Sequence, residues 1–194
     1  PFRTDGVQPT QETGPEVVLW ADTFSTWFDP ENARAAWAVL RAAGYRVTLA
    51  KATQGGRPLC CGRTFLAAGL VDEAREEAQR TLAALMPMVE RGVPVIGLEP
   101  SCLLTLRDEF KVLLPGEAAD RLAENAVLFE EFIANELDNG RFNLELEALP
   151  EKKALLHGHC HQKAFAVMGA VEKALALVPE LDVETVDSSC CGMA

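Results

Sequence analysis

Two tripeptides, Cys60-Cys61-Gly62 and Cys190-Cys191-Gly192, begin 130 residues apart, at positions 60 and 190. Together with Cys102 and Cys160 they account for all six cysteines of the chain. In an extended strand neighbouring side chains point to opposite faces, so a Cys-Cys pair is poorly suited to filling one core. At a turn both sulfurs can face one small volume, and the adjacent glycine permits backbone geometry that other residues resist. Such a turn presents two thiolates to a metal or cluster. Thiolates suit soft or borderline metals, which means iron–sulfur clusters and zinc. A lone cysteine is more simply a small buried hydrophobe. Two Cys-Cys-Gly triplets at corresponding places are not explained that way. Their spacing is neither the ferredoxin run nor the paired C-x-x-C of zinc ribbons.

The three histidines, His157, His159 and His161, alternate around Cys160. In an extended segment they share one face and Cys160 takes the other. His159 and His161 are candidate metal ligands, proton donors or hydrogen-bond partners to a cluster sulfur. His157 reads as the polar end of a strand. Asp22, Thr23 and Glu99 stand where a ligand could lie, and each serves equally well as a helix cap. Trp20, Phe24, Trp27 and Phe28 read as core, and the acidic helix faces at 73–77 and 130–136 as solvated surface. There is no G-x-G-x-x-G fingerprint, so nicotinamide binding has no support.

The elements that must position these residues alternate between apolar runs and helical segments. Residues 1–15 are polar and contain Pro9, Gly14 and Pro15, which predicts a linker. Strands are predicted at 16–21, 45–50 and 93–98, and again at 154–158 and 181–186. Helices are predicted at 32–43, 64–70, 72–91, 99 onward, 117–138 and 162–177, with Pro87 kinking or breaking the one at 72–91. An aromatic loop covers 22–30. The pattern strand, loop, helix, strand, triplet occurs twice, which predicts a duplicated half. The first half spans 16–140, a charged connection 141–153, and the second half starts at 154 and is cut short at 194. The expected fold class is α/β, with two related Rossmann-like βαβ halves on parallel sheets and right-handed crossovers. Ligands of such sheets sit beyond the carboxyl ends of the strands. All six cysteines follow predicted strands, so the loops at 22–23, 60–61, 102, 160 and 190–191 are expected to converge on one rim.

With 194 residues, 48% of them apolar, the chain can bury a sizeable core. A net charge of −11 leaves no basic stripe to neutralise phosphates, which argues against nucleic acid and against an anionic membrane surface. The longest apolar runs are too short to span a bilayer, and the first twenty residues carry no signal-peptide pattern. The expected location is cytoplasmic, with membrane association only through partners. In a reducing compartment clustered cysteines point to metal or redox chemistry before disulfide staples. Because the chain starts at Pro1 and stops two residues after Gly192, it reads as a fragment of a longer protein.

The doubled Cys-Cys-Gly, with strand-end ligand positions before it and the Pro100-Ser101-Cys102 segment after the first copy, resembles the cysteine-rich CCG domain. That domain occurs in heterodisulfide reductase and in the iron–sulfur components of glycolate oxidase, glycerol-3-phosphate dehydrogenase and lactate-utilisation proteins. It also forms the C-terminal part of FAD-linked oxidase/iron–sulfur fusion proteins, which this sequence resembles most, from about residue 16 onward. In the family each half supplies a strand-end Cys, the Cys-Cys pair and a C-x-x-C. Here Asp22-Thr23 replaces the first strand-end Cys, and Glu99 stands where C-x-x-C would begin. The last cysteine segment of the second half would lie beyond Ala194.

The resemblance implies an oxidoreductase component. A flavin on a partner chain or upstream domain oxidises a 2-hydroxy acid such as lactate or glycolate, and electrons pass through iron–sulfur centres of the 4Fe–4S type. The implied ligands are Cys60, Cys61, Cys102, Cys160, Cys190 and Cys191, with His159 and His161 beside them. Two alternatives stand with it: a structural zinc module built from thiolates and a histidine, and a metal-free thiol–disulfide domain.

Overall fold

The computed structural model describes residues 2, 13–52 and 57–189. Most of the expected linker and turn 54–56 lie outside them, as do Cys190 and Cys191. The chain forms two compact units, 1–128 and 129–194.

In the first unit, β1 (Glu16–Trp20), β2 (Arg46–Leu49), β3 (Val95–Gly97) and β4 (Ala126–Leu128) form a parallel sheet in the order β2-β1-β3-β4. The register pairs Val17 with Val47, Leu19 with Ile96 and Ile96 with Val127. The unit is therefore α/β, built from parallel strands with helical crossovers. Central strands covered on both faces must be apolar throughout, and Val17, Val18, Leu19 and Trp20 are each at most 1% exposed. Burying each such side chain stabilises the unit by about 1.5–3 kcal/mol. The helices are α1 (Pro30–Ala42), α2 (Arg63–Ala67), α3 (Val71–Val89), α4 (Pro100–Arg107), α5 (Glu109–Leu113) and α6 (Glu117–Asn125). Gly97 lets α4 approach the sheet, since a Cβ there would lie 2.5 Å from Leu103 Cδ1.

The second unit contains α7 (Phe129–Asp138), β5 (Lys153–Leu156), α8 (Cys160–Ala164), α9 (Met168–Leu175) and β6 (Asp182–Thr185). Strands β5 and β6 pair in parallel, Lys153 opposite Asp182 and Leu156 opposite Thr185.

Several local expectations are corrected. The helix expected over 117–138 is interrupted, because Ala126–Leu128 pairs with β3 and buries Ala126 and Leu128. Tertiary pairing outweighs helix propensity over three residues. The helix expected over 162–177 breaks between Ala164 and Met168, where Ala166 adopts a left-handed φ of 56°. Pro87 does not break α3, which runs on to Val89. It sits in the last turn, where its missing N–H removes one bond near the helix end. The aromatic loop holds one π-helical turn, Phe24–Phe28.

Candidate functional site

The site in the first unit lies beyond the carboxyl ends of β1, β2 and β3. The chain leaves β1 toward β2 on one side and returns to β3 on the other, so the crevice between β1 and β3 is the topological switch point of the sheet. Three segments meet there: Ala21-Asp22-Thr23 after β1, the Cys60-Cys61-Gly62 loop after β2, and the start of α4 after β3.

Asp22 shapes the first segment. Its Oδ1 accepts from the backbone N–H of Phe24 (2.8 Å) and Ser25 (3.0 Å), and its Oδ2 from Ser25 Oγ (2.8 Å). The carboxylate is consumed as a cap, which accounts for an acidic residue only 2% exposed. The next residue, Thr23, hydrogen-bonds through its hydroxyl to Cys60.

The triplet is fixed from several sides. Gly62 has φ +79°, and a Cβ there would lie 2.8 Å from Ala74 O on α3, so both conformation and space demand glycine. Thr81 on α3, fully buried, donates its hydroxyl to Cys60 O at 2.8 Å. Arg80 donates to Arg57 O (2.8 Å) and Pro58 O (3.4 Å). Glu77 pairs with Arg80 at 2.6 Å and also with Arg57, and is 2% exposed. The 73–77 face is therefore not wholly solvated, because α3 packs this carboxylate under the loop. Arg63, directly after the triplet, pairs with Glu109 of α5. In α4, Glu99 serves as N-cap, its Oε1 accepting from Ser101 N at 3.2 Å, and this places Cys102 in the first helical turn.

The outcome is a row of thiols. The Cys61 thiol interacts with the thiols of both Cys60 and Cys102. Cys61 and Cys102 are buried, Cys60 is half-buried, and all three are free thiols. Backbone N–H groups also point at the sulfurs, Gly62 N to Cys60 Sγ at 3.4 Å and Arg63 N to Cys61. Crowding dominates the protonation. The interaction with Cys61, reinforced by burial, drives the Cys60 thiol well above its ordinary range. The contact with Cys102, with burial added, pushes Cys61 up to about 12. Metal-free, both are thiols at neutral pH, and only a cation or an electron-poor centre would invert that. A cavity of about 300 Å³ opens beside Cys60, lined by Thr23, Trp27, Arg57, Cys60, Phe65 and Glu77. The donor set thus fits a thiolate-bound soft centre in kind, with room beside it. Among the described residues, however, no group of three or more His, Cys, Asp or Glu side chains is arranged to hold a metal ion.

In the second unit Cys160 opens α8 and is half-buried. His159 is the N-cap. Its Nδ1 accepts from His161 N at 3.2 Å, and Gln162 Oε1 accepts from His159 N at 3.2 Å. The chain is extended only as far as His159, so the alternating face expected for the histidines ends there. His159 and His161 meet as neighbouring rings instead, 5.4 Å between centroids, while His157 is exposed. Cys190 and Cys191, sought here from the sequence, lie outside the described residues. The chain leading to them is held by Lys163, whose Nζ donates to Ser188 O (2.5 Å), Ser188 Oγ (3.0 Å) and Ser189 O (3.2 Å).

Two further expectations change. Trp20 is core, but Phe24, Trp27 and Phe28 are exposed, because the π-helical turn presents them outward. The 130–136 face contains Glu136, buried and paired with Arg141 at 2.5 Å, and Glu130, whose carboxyl burial pushes above the ordinary range. Thr81, Arg80, Glu77 and Lys163 were not singled out from sequence. Arg80, Lys163 and Thr81 bond to backbone carbonyls, which leave no local pattern, and of the two arginines that bury Glu77 only Arg80 is local, at i,i+3, while Arg57 comes from the loop before the triplet.

No family model and no solved structure matches the chain. It is 28% identical over 180 residues to a subunit of the anaerobic glycerol-3-phosphate dehydrogenase of Escherichia coli, covering 92% of this chain and 43% of that protein. It is 23% identical over 180 residues to D-2-hydroxyglutarate dehydrogenase of Escherichia coli and 27% over 189 residues to that of Pseudomonas putida, covering 16% of each. The chain thus spans less than half the length of these curated relatives. Its likeness is to dehydrogenases and to a component of one. No helix among the described residues is long and apolar enough to cross a membrane.

Proposed function

We propose that this chain is the iron–sulfur, CCG-type electron-transfer part of a flavin-linked 2-hydroxy-acid oxidoreductase. The observation that carries the reading is the contact of Cys61 with both Cys60 and Cys102 at the switch point of the sheet. Packing alone does not call for three thiols from two loops at the place where such sheets bind ligands. The relatives support the reaction class, since their names denote dehydrogenases of hydroxy compounds. The flavin belongs to a partner chain or domain in this reading.

Cys60, Cys61 and Cys102 would hold the centre in the first unit. In this reading Cys160, with His159 and His161 beside it, and Cys190 and Cys191, which lie outside the described residues, would be the corresponding candidates of the second. A bound cluster would supply one-electron transfer. The chain's own part is to fix the donors and their surroundings. The N–H groups of Gly62 and Arg63 and the hydroxyl of Thr23 hydrogen-bond to sulfur and favour its anionic form. Trp27 and Phe65 line the adjacent cavity and supply its apolar surface. Because both thiols must lose protons on loading, uptake releases protons and weakens as pH falls.

Anaerobic purification of the full-length protein with elemental analysis tests the reading. Iron and sulfide with broad visible absorption are expected. Zinc without colour would instead indicate the structural module. The Cys61–Cys102 contact also suits a second reading, a dithiol couple. Joining the two sulfurs would release two protons and pass two electrons to an acceptor disulfide, reducing it to two thiols. A mass unchanged by reductant removes that reading.

A further inference from the structure

We propose that Arg80 and Lys163 are paired positioning residues, each gripping the carbonyls that lead into one Cys-Cys-Gly triplet. Pro58 and Ser188 occupy the same place, two residues before the first cysteine of their triplets. Both carbonyls accept from a cationic side chain: Pro58 O from Arg80, which also takes Arg57 O, and Ser188 O from Lys163, which also takes Ser189 O. The two cations come from different helices. Arg80 lies on α3, after its triplet in sequence, and Lys163 on α8, before its own. The same contact is thus made by unlike routes, which packing coincidence does not explain well.

The local structure is built for the Lys163 contact. A Cβ at Gly158 would lie 3.1 Å from Lys163 Cε and 2.5 Å from Met168 Sδ, so the missing side chain makes room for the lysine stem. The ammonium then spends its donors on three oxygens of Ser188 and Ser189. Lys163 stands three residues after Cys160 on the same short helix, so the grip ties the approach to Cys190 to the element that carries Cys160. Holding ligand-bearing segments in place beforehand lowers the entropy lost when a centre is assembled.

The two cations differ in ion pairing. Arg80 is paired with buried Glu77, whereas among the described residues Lys163 makes no ion pair. Glu77 sets one negative charge against the two positive charges of Arg57 and Arg80, so the approach to each triplet keeps a net positive charge. Positive charge near a redox centre favours its reduced form and raises its potential. This charge effect rests on the proposed thiolate-bound centre, while the grip itself does not.

The experiment uses the full-length protein with Lys163→Met, Lys163→Arg and Arg80→Met. In metal-free protein, hydrogen–deuterium exchange of the peptide spanning 183–189 should be about tenfold faster in Lys163→Met, the scale of one or two lost hydrogen bonds. It should stay near wild type in Lys163→Arg and in Arg80→Met, and Arg80→Met should instead speed exchange at 57–61. Exchange at 183–189 that Lys163→Met leaves unchanged overturns the proposal. In iron-loaded protein, Lys163→Met should lower one midpoint potential and Lys163→Arg should preserve it. A potential unmoved by Lys163→Met overturns the charge effect. A wild type without iron would count against the proposed centre, and the exchange result would still decide the grip.

Discussion

The two units hold their cysteines by different means. In the first, the triplet rests on a four-stranded sheet whose central strands are buried on both faces, and α3 grips it through Gly62, Thr81 and Arg80. In the second, two paired strands leave one face open, with Lys153 and Leu155 exposed on β5 and Asp182 and Glu184 on β6. There, among the described residues, Lys163 holds Ser188 and Ser189, and Val186 N bonds to Leu156 O at 2.9 Å. An isolated two-stranded sheet is a marginal support. The lesson is that the approach to one sequence motif can be held either by close backbone packing or by a flexible charged side chain, and the two should respond differently to mutation.

The largest difference is expected at the glycines. Gly62→Ala forces a Cβ against the backbone of α3 at a left-handed φ and should cost about 3 kcal/mol, read as a lowered denaturation midpoint. Gly158→Ala meets only the flexible ends of Met168 and Lys163 and should cost about 1 kcal/mol. Equal losses would mean that both triplets are anchored alike. Next comes Glu77→Gln, which leaves Arg57 and Arg80 without their buried partner. It should destabilise the first unit by about 2–3 kcal/mol, measured by urea unfolding. Thr81→Val should cost about 1–2 kcal/mol, because Cys60 O loses its buried donor. It should also slow metal uptake.

The smallest effect belongs to Glu130 at the start of α7. Burial raises its carboxyl in the folded state, and its Oε2 has no hydrogen-bond partner among the described residues. The folded form then binds a proton more tightly than the unfolded one. Its stability contribution is present below the unfolded value of about 4.3 and is lost as pH rises through the folded value. Glu130→Met should therefore stabilise by about 1 kcal/mol at pH 7 and by little at pH 4, read from thermal melts at both. A gain independent of pH would show that charge is not the cause.

The parts legible in sequence were those with a local signature. Val17-Val18-Leu19 and Val95-Ile96 announce strands because buried parallel strands must be continuously apolar. Cys60, Cys61, Cys102 and Thr23 stood out in the sequence because the chemistry of sulfur and the strand-end rule both point to them, while Cys190 and Cys191 lie outside the described residues. Strand β4 was hidden because Ala126-Val127-Leu128 sits between segments of strong helix propensity, and only pairing with β3 decides its state. Glu77 read as surface because its acidic neighbours suggest a solvated face, while Arg57 and Arg80 bury it through the folded loop. Arg80 and Lys163 bond to main-chain oxygens, which have no residue identity to read.

The most direct test of the central claim is the iron content of full-length protein carrying Cys61→Ala, purified anaerobically beside wild type and corrected for folded fraction by circular dichroism. Cys61 is the thiol that touches both of its neighbours, so its removal should strip at least half of the bound iron and the associated visible absorption. Wild-type iron and an unchanged spectrum in Cys61→Ala would contradict a centre built on Cys60, Cys61 and Cys102.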